Sequence, residues 1–175
     1  EAIHREYDGI EIDVQICSTG ELILHHDVYL GDSFIIDRTL EELKEEGICS
    51  LCDVYDQVPD IRKTLLIVDI KGNNYNVIKA LSTFYKKEPT RNVFFCSFNR
   101  KLLYGLPPEF QKGTTVETTF TNEEYDMITR GLSVVVLHWT CLDHYFISYC
   151  KMKDIKVYTY THKEDKELEY MYRYN

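Results

Sequence analysis

No stretch of the 175-residue sequence approaches the ~20 consecutive apolar residues that a membrane-spanning helix needs. Basic side chains are in short supply: 20 Lys and Arg stand against 29 Asp and Glu, a formal net charge of −9. That balance argues against a partner recognised through its phosphate backbone, so nucleic acid is not expected. The opening residues, Glu1-Ala2-Ile3-His4-Arg5-Glu6, lack the apolar core of a signal peptide. Also missing are a G-x-G-x-x-G and a P-loop, the usual nucleotide-binding devices of an open parallel sheet. No linker or low-complexity segment divides the chain, which reads as one domain over residues 1–175.

What is present is ordinary globular composition, 44% hydrophobic and 28% charged, which excludes a disordered chain. Six cysteines show no framework. Cys49-Ser50-Leu51-Cys52 is a lone C-x-x-C, and Cys141 and Cys150 do not supply the second, similarly spaced pair that a structural zinc site wants. A redox use would want a helix N-terminus following a strand, and none is evident there. Buried free thiols in a reducing compartment are the better account, and they set the expectation of a cytoplasmic protein.

Apolar runs alternate with helical stretches. Gly9 to Ile16 has strand periodicity, Ser18-Thr19-Gly20 is a turn, and Glu21 to His26 is a second extended run. Thr39-Leu40-Glu41-Glu42 is a capping box opening a short helix to Gly47. Leu65 to Lys71 is almost wholly apolar until its end, as in a parallel strand buried on both faces. Strands then recur over 92–98, 113–120, 132–137 and 156–161, separated by helices over 76–85, from Arg100, through Thr129, to about Lys153 and over 163–172. Strands separated by helices mean parallel α/β architecture.

The polar residues sit late in strands, where (β/α)8 barrels collect their chemistry. Glu11 and Asp13, two apart on one strand, share a face while Ile10, Ile12 and Val14 point the other way. Side by side, two carboxylates repel unless something positive lies between them, and Mg²⁺ or Ca²⁺ prefers such oxygens. A solvated face of an edge strand is the alternative. Asp69 and Lys71 repeat the spacing on another strand, where a third oxygen ligand and an ammonium make a plausible phosphate site. In His25-His26-Asp27 a histidine beside a carboxylate ends an extended run, a candidate general acid or base. His4, His138, His144 and His162 have no such company and read as structural or exposed.

Taken in order, these segments resemble the glycerophosphodiester phosphodiesterase family. The resemblance is carried by Glu11-Ile12-Asp13 through His26-Asp27, by Thr39-Leu40-Glu41-Glu42-Leu43, by Asp69-Ile70-Lys71, by Ser97-Phe98, and by Lys156 to Leu168 as a seventh strand and helix. It implies a (β/α)8 TIM-type barrel and a divalent metal, Mg²⁺ or Ca²⁺, held by Glu11, Asp13 and Asp69. It implies catalysis by His26 and Lys71, with Lys71, Ser97, Phe98 and Tyr160 binding substrate. The implied reaction, in lipid metabolism, is hydrolysis of a glycerophosphodiester to glycerol 3-phosphate and an alcohol. Counterparts of strands two to seven are expected within the 175 residues; the family's first strand, ending His-Arg-Gly, and its eighth have none. Glu1-Ala2-Ile3 and His4-Arg5 look like the helix before the Glu11 strand. Asp69 stands for the usual Glu and Tyr160 for a usual Trp. Two other readings stay open: a sphingomyelinase D-like phospholipase, which an Asp at position 69 suits, and an inactive barrel that binds phosphodiesters.

Overall fold

The computed structural model describes residues 7–174 of the chain, with side chains to Arg173. The expected helix over Glu1 to Arg5 lies outside the described residues. Two compact units are present, one ending at Phe110 and one beginning at Gln111.

In the first unit, β1 (Gly9–Ile16) pairs antiparallel with β2 (Leu22–Leu24) and parallel with β5 (Leu65–Ile70), which pairs parallel with β6 (Val93–Ser97). Among the described residues β2 covers β1 only at Val14, Gln15 and Ile16, so at Glu11 and Asp13 β1 is paired on its β5 side alone. β5 lies between two parallel neighbours, and Leu66, Val68 and Ile70 are buried, as its apolar run requires. β6 is buried throughout. Beneath it Phe95 stacks on Phe110 at 4.6 Å and meets Tyr85 edge-on at 4.9 Å, while the Tyr55 and Tyr85 hydroxyls bond at 3.0 Å. Tyr85 comes from the end of α3 (Asn76–Phe84) and Tyr55 from α2 (Leu51–Gln57).

The extended run expected over Glu21 to His26 is regular only at Leu22–Leu24. Beyond it the chain makes a hairpin, β3 (Tyr29–Leu30) with β4 (Ser33–Phe34), that the sequence pattern does not signal. α1 (Leu40–Glu45) begins at the expected capping box on Thr39.

A second capping box, Ser50 with Asp53, starts α2, so the C-x-x-C lies at a helix start, but that helix follows α1 rather than a strand. Its thiol is not activated: burial and the Asp56 charge push Cys52 up rather than down. All six cysteines are free, and no group of three metal-ligating side chains among the described residues includes one. Asp53 accepts from Lys44 and from the Ser50 hydroxyl and N–H, which together hold its carboxyl down at about 2 against an ordinary 3.8. A carboxyl so depressed stabilises the fold fully above its unfolded value and loses that contribution as pH falls toward 2. Asp53→Asn is expected to cost about 1 kcal/mol in urea unfolding at pH 7, and the difference from wild type should shrink steadily below pH 4.

In the second unit, β7 (Gln111–Val116), β8 (Val134–His138) and β9 (Lys156–Tyr160) run parallel. α6 (His144–Met152), capped by Asp143, brings Phe146 and Cys150 against Tyr125, Val135 and Leu137. α5 (Tyr125–Thr129) and α7 (Asp165–Tyr174) complete it. The strand expected over 113–120 stops at Val116, and a short turn over Trp139–Cys141 delays the following helix to His144.

Candidate active site

Parallel pairing of β1 with β5 places Asp13 directly beside Asp69. Glu11 lies two residues earlier on the Asp13 face. Carboxylate oxygens of Glu11, Asp13 and Asp69 all fall within 4.8 Å of one another. Lys71 follows the last residue of β5, and its N–H donates to Val14 O, prolonging the ladder by one residue. That extension carries its ammonium back over the carboxylates, 2.7 Å from Asp69 Oδ2 and 3.0 Å from Asp13 Oδ1.

Charge is the main fact of the site: three carboxylates face one ammonium. Asp69 is only 5% exposed. Loss of solvation, then the Asp13 and Asp69 charges, push Glu11 up to about 7, with Lys71 pulling the other way. Burial lowers Lys71, but hydrogen bonds to Asp69 and Asp13 outweigh it and leave the ammonium raised. The Cys96 thiol, in register with Asp69, is buried and pushed up. The donor set is all hard oxygen, so it fits Mg²⁺ or Ca²⁺ rather than a thiophilic metal.

Phe98 leaves the end of β6 with its ring 5.9 Å from the Lys71 ammonium. Ser97 is buried, its hydroxyl donating to Ile70 O at 2.7 Å and accepting from Asn99 N. It thus ties the end of β6 to the end of β5. His26 is not among the groups bonded to the carboxylates: its ring, 71% exposed, bonds Asp27 at 2.7 Å through Nδ1. Tyr160 belongs to the second unit, where its hydroxyl donates to Glu117 at 3.1 Å and its ring meets His138 edge-on at 5.6 Å.

One residue of this neighbourhood escaped the sequence reading. Gln15 is buried, and its amide donates to His25 O at 2.8 Å and Asp27 O at 2.7 Å, the carbonyls on either side of His26. The signal was present, because Glu11, Asp13 and Gln15 continue one period-two face of β1.

No family model matches the chain. It is 27% identical to a glycerophosphodiester phosphodiesterase of Caldanaerobacter subterraneus subsp. tengcongensis, over 91% of this chain and 76% of that one. A phosphodiesterase of Oleispira antarctica, solved with the product sn-glycerol-3-phosphate, superposes with a TM-score of 0.83 at 22% identity, covering 97% of this chain and 79% of that one. The glycerophosphodiester phosphodiesterase of Thermotoga maritima gives 0.80 at 20% identity, over 98% and 80%. The fold is that of these TIM-type phosphodiesterase barrels, and the resemblance carried by the motifs extends over nearly the whole chain.

Proposed function

We propose that the chain is a metal-dependent glycerophosphodiester phosphodiesterase, a phosphoric diester hydrolase releasing glycerol 3-phosphate and an alcohol. The observation that carries this reading is the Glu11, Asp13 and Asp69 carboxylate group with Lys71 bridging two of its members. The phosphodiesterase names of the relatives, and the glycerol 3-phosphate bound by the Oleispira protein, agree with it.

Glu11, Asp13 and Asp69 would hold a divalent cation, Mg²⁺ or Ca²⁺, which when bound supplies Lewis-acid stabilisation of charge on the phosphoryl oxygens. Lys71 binds a phosphoryl oxygen and stabilises the charge that develops there. His26, oriented by Asp27, moves the proton to the departing alcohol. Phe98 packs the substrate beside Lys71, and Ser97 holds the strand end from which Phe98 projects. The chain acts as one barrel domain over 1–175, on a small-molecule diester of lipid metabolism and in the cytoplasm. Among the described residues no helix is long and apolar enough to cross a membrane.

Glycerophosphocholine and sphingomyelin offered separately with Mg²⁺ or Ca²⁺ test the substrate class. Release of glycerol 3-phosphate from the first alone is the expected result. Cleavage of sphingomyelin alone would make the protein a sphingomyelinase D-like phospholipase, and binding without turnover would make it an inactive barrel.

Gln15 yields a separate expectation. Replacing it with Met removes both N–H donors from the carbonyls flanking His26 while keeping the side chain's bulk. If His26 must be held in place, kcat falls about 10- to 100-fold with little change in KM, and Gln15→Glu, which keeps a polar head but loses the paired donors, does not restore it. Equal kcat in Gln15→Met and wild type would remove His26 positioning from the account.

A further inference from the structure

The backbone ladder between β5 and β6 ends at the pair Asp69 and Cys96. Lys71 and Phe98 lie beyond it, so pairing of the two strands does not by itself hold them. Side-chain hydrogen bonds take over at this point. The Ser97 hydroxyl donates to Ile70 O at 2.7 Å and accepts from Asn99 N at 3.0 Å. Asn99 Nδ2 in turn donates to Asn73 Oδ1 at 3.0 Å. Followed round, these bonds close a ring from Ile70 through Ser97, Asn99 and Asn73 and back along the chain. It encloses Lys71 and Gly72 on one side and Phe98 on the other.

The two asparagines play different parts. Asn99 is the N-cap of α4 (Arg100–Gly105), its Oδ1 accepting from Lys101 N at 3.2 Å, which turns its amide nitrogen on Asn73. Asn73 supplies only the acceptor. It follows Gly72, whose φ of +74° turns the chain just past Lys71. Lys71 reaches Asp13 and Asp69 on a flexible four-carbon stem, which keeps one course only if the backbone beneath it is fixed. On the N-terminal side the bond from Lys71 N to Val14 O, 2.9 Å long, fixes it. On the C-terminal side the bond from Asn99 to Asn73 does the same for the turn.

We propose that Asn99, acting through Asn73, is a positioning residue for Lys71, keeping its ammonium over Asp13 and Asp69. The inference rests on the phosphodiesterase reading above, in which Lys71 binds a phosphoryl oxygen.

Asn99→Asp and Asn73→Asp form a matched pair for the test. Each adds one negative charge at nearly the same point, and the carboxylate at 99 still caps α4. Only Asn99→Asp loses the donor; in Asn73→Asp the bond survives and becomes charge-assisted. With glycerophosphocholine and saturating Mg²⁺ or Ca²⁺, kcat should fall about 10-fold in Asn99→Asp with little change in KM, and no more than about 2-fold in Asn73→Asp. Asn73→Leu, which removes the acceptor and leaves the α4 cap alone, should reproduce the Asn99→Asp loss. In a Lys71→Met background Asn99→Asp should cost nothing further, because its effect passes through Lys71. Equal kcat in the two aspartate variants, or the same loss with and without Lys71, overturns the proposal and leaves the phosphodiesterase reading intact. Amide hydrogen exchange reads the same ring without turnover: the Lys71 N–H should exchange about 10-fold faster in Asn99→Asp than in wild type or Asn73→Asp. If glycerophosphocholine is cleaved with neither cation, that measurement decides. Faster exchange confined to Asn99→Asp keeps the positioning of Lys71 and overturns the phosphodiesterase reading; exchange alike in all three proteins overturns both.

Discussion

Asp69→Asn is expected to lower kcat for glycerophosphocholine hydrolysis about 10³-fold without unfolding the protein. Asparagine keeps the shape of the side chain on a strand held between two parallel neighbours, so packing around Leu66, Val68 and Ile70 is preserved. What changes is charge at the most buried of the three acids. Removing one preorganised electrostatic contributor from an active site commonly costs 10²- to 10³-fold, and this one also holds the Lys71 ammonium at 2.7 Å. Asp13→Asn should fall in the same range, since Asp13 is in register with Asp69 and shares the ammonium. Glu11, the most exposed of the three, should be less severe. Steady-state kinetics across a Mg²⁺ and Ca²⁺ titration checks the order. An Asp69→Asn protein within a few fold of wild type at saturating cation would remove Asp69 from the machinery.

Lys71→Met is expected to destabilise the cation-free protein by about 3 kcal/mol. The ammonium is the positive charge set against Glu11, Asp13 and Asp69, and it is largely enclosed along with Asp69. Truncating it leaves three carboxylates facing one another, which is more costly than losing the pair itself. A divalent cation that binds this group stabilises the folded state in proportion to the logarithm of its concentration over Kd. Urea unfolding with EDTA and then with saturating Mg²⁺ or Ca²⁺ should therefore show a larger cation-induced gain in the variant than in wild type. Activity should stay down by 10²-fold or more even with cation, because in the proposed reaction Lys71 also binds the phosphoryl group. A cation that stabilises neither protein would mean that the carboxylates hold no metal.

Much of the site was legible because strand periodicity converts spacing into direction. Glu11 with Asp13 and Asp69 with Lys71 are legible from two-residue spacings on apolar strands, and the β1–β5 register brings them together. The pairing of Asp13 with Asp69 could not be read, since the register of a parallel pair depends on how the intervening helices pack. Gln15 was legible on the same face but was passed over, because a glutamine carries no charge to compensate and its partners are loop carbonyls. The start of α2 is equally legible as the capping box Ser50-x-x-Asp53. The β3–β4 hairpin has two-residue strands, too short for any alternation to stand out from Val28-Tyr29-Leu30 and Phe34-Ile35-Ile36. The burial of Ile35 and the packing of Leu30 on the same cluster separate its inward side from its outward one. His26 was singled out by its company in sequence, and its side chain bonds that same neighbour, Asp27.

Whether a cation held by Glu11, Asp13 and Asp69 is needed for phosphodiester hydrolysis is decided by ³¹P NMR of glycerophosphocholine incubated with the purified protein, first in EDTA and then with stepwise Mg²⁺ or Ca²⁺. A silent reaction in EDTA is expected, with a growing glycerol 3-phosphate resonance as cation is added, absent from Asp13→Asn. Hydrolysis undiminished by EDTA, or no product at any concentration of either cation, would contradict that expectation.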